Sequence, residues 1–132
     1  MQQYQIEIAS APENIHQVET FIDEMKDKLG ISDELFGNLL ISLTEAVNNG
    51  IIHGNQSDPN KKVKVQCKKD GSHISFIVTD QGDGFDYNNL PDPTDPNNLE
   101  KLTGRGVFLM KQLSDMLIYS KGGSEVELQF KV

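Results

Sequence analysis

Residues 44–54 read TEAVNNGIIHG, and the rest of the chain is understood outward from them. Glu45, Asn49 and His53 recur at intervals of four, so on an α-helix each is turned about 40° from the last and lies about 6 Å further along. Phe36, Leu40, Leu43, Val47 and Ile51 form an apolar stripe on the same helix, while Asn38, Ser42, Glu45, Asn49 and His53 form a separate polar one. A carboxylate one turn from an amide can divide labour. Asn49 offers Mg²⁺ a hard oxygen without adding charge, and Glu45 accepts a proton from, or orients, a group attacking a terminal phosphate. A solvated helix face accounts equally well for any one of these residues alone. His53 completes the ridge and is counted with the cofactor-contacting residues, although Mg²⁺ prefers oxygen to nitrogen and a helix-end cap would also explain it.

Upstream, QYQIEI at 3–8 alternates weakly as a first strand. Ser10 and Glu13 have capping-box spacing with Pro12 in the first turn of a helix carrying Ile15, Val18, Ile22, Met25 and Leu29, which Gly30 stops. Ser32 caps the second helix, with Asp33 and Glu34 placed well against its dipole. Downstream, Gly54 and Asn55 end that helix and Pro59 marks a loop. Strands follow at 62–68 and 73–79, joined by a turn at Lys69, Asp70 and Gly71. From Phe85 to Thr103 periodicity is lost, and the segment reads as a long, mobile loop of the kind that serves as a ligand lid.

Gly104 to Gly106 opens a third helix in which Phe108, Leu109, Leu113 and Met116 point inward. The end is a hairpin: a strand at 117–120, a turn at Gly122 and Gly123, then alternating Val126, Leu128, Phe130 and Val132. The order β-α-α-β-β-lid-α-β-β implies an α/β two-layer sandwich, a mixed sheet with its helices on one face, in a single domain spanning 1–132.

Two further clusters carry chemistry. Asp80, Gly82 and Gly84 follow directly on an apolar strand, where the glycines let the chain approach a planar ligand and the carboxylate can accept from an exocyclic amine. Tight turns share this composition, and a calcium loop is excluded because its twelfth position, counted from Asp80, is Pro91 instead of glutamate. Gly104 and Gly106 put free amides at a helix N-terminus where phosphate oxygens can sit, and Arg105 between them can reach phosphate or a partner. A flexible turn feeding a helix explains the pair as readily. No GxxxxGKS segment is present, which rules out a Walker-type loop.

Bulk composition narrows the field. Twelve Lys and Arg against 20 Asp and Glu give a net charge of −8, which argues against a nucleic-acid footprint, since phosphate contacts need a positive surface. No apolar run is long enough to span a bilayer and no signal-type segment follows Met1, so a cytoplasmic protein is expected. The lone Cys67 alternates with Val63 and Val65 as a core-facing strand residue.

The three clusters, in this order and spacing, resemble the family of gyrase, Hsp90, histidine kinases and MutL, and most closely its anti-sigma branch of serine/threonine kinases of the SpoIIAB and RsbW type. TEAVNNGIIHG resembles the family's N-box, DQGDG its first glycine box and GRGVFLM its second. The resemblance implies a Bergerat-type fold binding ATP and Mg²⁺, with Glu45 as general base, Asn49 as magnesium ligand and Asp80 as the adenine-reading carboxylate. It further implies Gly82 and Gly84 as the adenine-pocket turn and Gly104, Arg105 and Gly106 as the hinge of the lid. Its partners would be a sigma factor and a STAS-type anti-sigma antagonist phosphorylated on serine or threonine, and it allows a homodimer. Where the family often has a threonine in the last hairpin this chain has GSEVEL, so Ser124 substitutes or Glu125 takes the place. A regulatory binder that sequesters its partner without phosphoryl transfer, and a detached histidine-kinase-like module, are the alternatives.

Overall fold

The computed structural model describes residues 2–83 and 102–132, with backbone alone for residue 2 and for 102–106. Five strands and three α-helices are present among them: β1 Gln2–Ala9, α1 Ile15–Leu29, α2 Asp33–Asn49, β2 Lys62–Asp70, β3 His73–Thr79, α3 Leu102–Leu113, β4 Met116–Ser120 and β5 Glu125–Lys131. Helix α1 buries Val18, Phe21, Ile22, Met25 and Leu29 at helical spacing. It stops at Gly30, whose left-handed φ of 65° a side chain would disfavour. Ser32 caps α2 as expected, its Oγ accepting from the Leu35 N–H at 3.2 Å.

The expected capping box at Ser10 does not form. Ser10 is fully buried and its Oγ donates to the Lys61 carbonyl at 2.9 Å, a partner 51 residues away that outcompetes the local cap. A 3₁₀ turn at Pro12–Asn14 leads into α1 instead, steadied by Asn14 Nδ2 donating to the Ala9 carbonyl at 3.0 Å.

The sheet runs in the order β1-β2-β3-β5-β4, antiparallel at every described pairing. The two-layer α/β sandwich is as expected, and the sheet within it is antiparallel instead of mixed. Strands β3 and β4 do share a direction, as a strand-helix-strand crossover requires, but β5 folds back between them and keeps them apart. Period-two alternation turns Val63, Val65, Cys67, Ile74, Phe76, Val78, Val126, Leu128 and Phe130 toward the helices, where all are buried. They meet Ile22, Met25, Leu39, Leu43 and Val47 in one core. Each such side chain stabilises the fold by about 1.5–3 kcal/mol relative to exposure. Burial pushes the Cys67 thiol up to about 12, so it behaves as a small apolar residue. No described helix is long and apolar enough to cross a membrane.

Helix α3 departs from expectation. It begins at Leu102, so Leu102 and Thr103 belong to it and Gly104 to Gly106 lie within its opening turns instead of ahead of it. Among its residues from 107 on, Val107 and Met110 are buried; Phe108 and Leu109 are partly exposed, and Met116 starts β4 with its side chain outward. Four consecutive apolar residues, Val107 to Met110, leave the helix phase open to sequence reading. Most of the expected lid lies outside the described residues.

On α2, Ser42 belongs to the core side, not the polar stripe, and its Oγ is buried without a hydrogen-bond partner among the described residues. Ser42→Ala removes that desolvated hydroxyl and should leave stability unchanged or raise it by up to about 1 kcal/mol in urea unfolding. A loss above about 1 kcal/mol would mean that the hydroxyl is bonded in solution.

Candidate functional site

Helix α2 does not end where its α-helical pattern stops. After Asn49 the chain continues through a π-helical turn at Gly50–Gly54, closed by the Asn55 N–H donating to the Gly50 carbonyl at 2.8 Å. Wider turns of this kind shift the side chains beyond them and are frequent at functional sites. Between this turn, the end of β3, α3 and the last hairpin lies a cavity of about 230 Å³. Asn49 and His53 line it from the helix side, Asp80 from the end of β3 and Ser124 from the hairpin, with Val78, Met110, Tyr119 and Val126 as apolar wall. Four of the sequence-predicted residues are thereby brought together. Glu45, half-buried one turn before Asn49, and Gly82, against the backbone of Gly54, are not among the described lining residues. Gly84 lies outside the described residues, and for Gly104, Arg105 and Gly106 the structure gives the helical backbone alone.

What fixes this side of the cavity is a close approach of two segments, the turn at Gly54 and the turn at residues 80–82. A Cβ at Gly54 would fall onto the Asp80 carboxylate, 2.7 Å from Oδ1, and a Cβ at Gly82 would fall 2.9 Å from Gly54 Cα and closer still to its carbonyl oxygen. Neither glycine has positive φ, so the requirement is space. Asp80 is held from both sides: its N–H donates to the Ser124 carbonyl at 2.9 Å and its Oδ1 accepts from the Gly82 N–H at 2.8 Å. Desolvation raises the Asp80 pKa above its ordinary value, opposed by the Gly82 bond and by Lys61. A half-buried acceptor in an apolar wall suits an amine on a flat ring. Burial pushes the Tyr119 phenol well up, so it stays protonated.

Ser124 reaches the site through its carbonyl, while its Oγ donates to the Lys121 carbonyl at 3.0 Å. Glu125 does not take that place, because strand alternation turns it to the opposite face of the sheet. There it accepts from Thr79 Oγ1 at 3.0 Å and Ser120 Oγ at 2.9 Å and pairs with Lys121 at 3.4 Å. Burial raises its pKa, but these bonds outweigh burial and hold it below the ordinary value.

Sequence reading missed Asn55 beyond its place at the helix end. It is fully buried, and its Nδ2 donates to Ser10 Oγ at 2.6 Å and to the Lys62 carbonyl at 3.0 Å. Its Oδ1 accepts from the Gln81 N–H at 2.7 Å. A helix-ending asparagine carries no local mark of such distant partners. Tyr119 and Met110 were missed too, the first because an inward position on a short edge strand looks like core.

A sheet covered on one face by helices, with a cleft at the end of the second of them, defines the class of α/β sandwich to which this chain belongs. The chain belongs to the family of histidine kinase-like ATPase domains, whose description it matches over residues 8–130. It is similar to the serine-protein kinase RsbW of Oceanobacillus iheyensis, 23% identical over 84% of this chain and 74% of that protein. RsbW of Bacillus subtilis is 24% identical over 84% and 73%, respectively. The anti-sigma F factor of Oceanobacillus iheyensis is 32% identical over 55% of this chain and 51% of that protein. The expected kinship with the gyrase, Hsp90, histidine kinase and MutL group, nearest its anti-sigma branch, is borne out.

Because its folded pKa is raised, Asp80 contributes stability that is present at low pH and lost as pH rises through that pKa. Asp80→Asn removes the desolvated charge, so at neutral pH the ligand-free variant should melt at or above the wild-type temperature. The difference should shrink as pH falls from about 7 to about 4. Melting curves showing the variant less stable throughout, by a pH-independent margin, would remove the desolvation account.

Proposed function

We propose that this chain is an anti-sigma factor serine/threonine-protein kinase that uses Mg-ATP to phosphorylate a STAS-type antagonist and also binds a sigma factor. The observation that carries the nucleotide site is the meeting of Asn49 and Asp80 across one cleft with an apolar wall. Support for the kinase comes from relatives named serine-protein kinase and anti-sigma F factor. On this reading residues 1–132 form one ATP-binding domain of a cytoplasmic protein, which can act as a homodimer.

In the proposed complex Asp80 accepts from the adenine amine, with Gly82 and Gly84 giving the turn around the base. Ser124 steadies Asp80 through its carbonyl, and His53 borders the nucleotide. The phosphates lie toward the N-terminal turn of α3, which begins at Leu102 and includes Gly104, where the first amides of a helix are free of intrahelical partners; Arg105 and Gly106 follow in the same turns. When bound, magnesium would neutralise phosphate charge, and Asn49 would be the residue of this chain that holds it. The Asn49 amide offers a hard, uncharged oxygen of the kind magnesium accepts beside phosphate and water ligands. Glu45, one turn from Asn49 on the same helix, accepts the proton of the attacking serine or threonine hydroxyl as its oxygen bonds to the terminal phosphorus and ADP leaves. Helix α2 holds the two side chains in fixed relation because Leu43, Val47 and Ile51 anchor it in the core.

Glu45→Gln should keep ATP binding and sigma-factor binding but lose about 10²–10⁴-fold in transfer to the STAS-type substrate. Asn49→Ala should lose magnesium-dependent nucleotide binding and transfer together. Transfer assays with labelled ATP beside nucleotide titrations check both. Wild-type protein that binds ATP and its sigma factor but phosphorylates no antagonist would make it a sequestering binder, a role consistent with Glu45 standing outside the described cavity lining.

A further inference from the structure

We propose that Asn55 is a positioning residue for base recognition, acting through Asp80, and that its buried side chain sets how well the site tells adenine from other purines. The proposal rests on Asp80 reading the base.

Asn55 ties the two turns that meet beside Asp80 to each other and to the ends of β1 and β2. Its own N–H closes the π-helical turn onto Gly50 at 2.8 Å, which places Gly54. Its Oδ1 takes the Gln81 N–H at 2.7 Å, the residue next to Asp80. Its Nδ2 reaches Ser10 Oγ and the Lys62 carbonyl, anchoring the assembly to the ends of β1 and β2. Gln81 is fixed a second time by its Oε1, which accepts from the Lys62 N–H at 2.6 Å. All the bonding of a fully buried amide is thus committed to backbone and hydroxyl partners from distant parts of the chain, and both neighbours of the Asp80 carboxylate, Gly54 and Gly82, are reached through it. Small errors in placing a reading group cost disproportionately where a site must hydrogen-bond its ligand. Without Asn55, the 80–82 turn keeps its strand register through the Asp80–Ser124 bond but loses its tie to the helix end.

A general loss of stability would weaken every nucleotide alike, whereas misplacement of Asp80 affects the base-reading bond selectively. The experiment is calorimetric titration of ATP and ITP, which carries a carbonyl in place of the exocyclic amine, into wild type, Asn55→Ala, Asp80→Asn and the double variant, all well below their melting temperatures. Wild type should prefer ATP. Asn55→Ala should weaken ATP by about tenfold or more while changing ITP by less than about threefold, and should add nothing further in the Asp80→Asn background. Equal losses for ATP and ITP, an unchanged preference, or additivity with Asp80→Asn would overturn the proposal. Wild type that does not bind ATP, or whose preference survives Asp80→Asn, would overturn the Asp80 reading and this proposal with it, and it is recognised without the Asn55 variants. If Asn55→Ala does not fold, amide exchange of Gln81 in the wild type decides: slow exchange, quickened in Ser10→Ala, is expected, and exchange at the rate of an exposed loop amide overturns the proposal.

Discussion

There is no room for a methyl group at Gly54, and much of the site follows from that. The backbone at the end of the second helix lies directly on the Asp80 carboxylate, and Gly82 lies on the backbone of Gly54 in turn. Two glycine-containing turns, at Gly54 and at residues 80–82, therefore share a space that side chains elsewhere would fill. The π-helical turn is what carries the chain from a well-packed α-helix into this approach, and the buried Asn55 closes it. The core does the rest: Leu39, Leu43, Val47 and Ile51 hold α2 against the sheet, so that residues on its other side keep their distances to β3.

The electrostatics are local. A chain of net charge −8 is a poor partner for an anion at long range, and any nucleotide it binds must be held by short-range dipoles and a few cations. Among the described residues Lys61 is the cation that bears on Asp80, lowering its pKa against the effect of burial. Asp80 itself is a compromise. Desolvation works against its charge, yet the same apolar wall makes its bond to a donor stronger than it would be in water.

Much of this was legible in the sequence, for definable reasons. Helices α1 and α2 announce themselves through apolar spacing and through Gly30 and Ser32, and β2, β3 and β5 through strict alternation. The meeting of Asn49 with Asp80 was legible only through the family resemblance of the motifs that carry them, because no local pattern says that the end of one element lies beside the end of the other. Where partners are remote, the sequence misleads or is silent. Ser10 looks like a helix cap and instead bonds Lys61 and Asn55, the latter 45 positions away, while Asn55 meets Gln81 at a separation of 26. The phase of α3 was hidden by four apolar residues in a row, and the antiparallel sheet by a last strand that inserts between two others.

The central claim, that the contact of Gly54 with Asp80 forms the floor of an adenine-nucleotide site, is tested most directly by titrating ATP into Gly54→Ala protein whose fold is verified by circular dichroism. The added Cβ must displace the Asp80 carboxylate, so binding should weaken by at least about tenfold while the variant remains folded. ATP affinity equal to that of the wild type would contradict it.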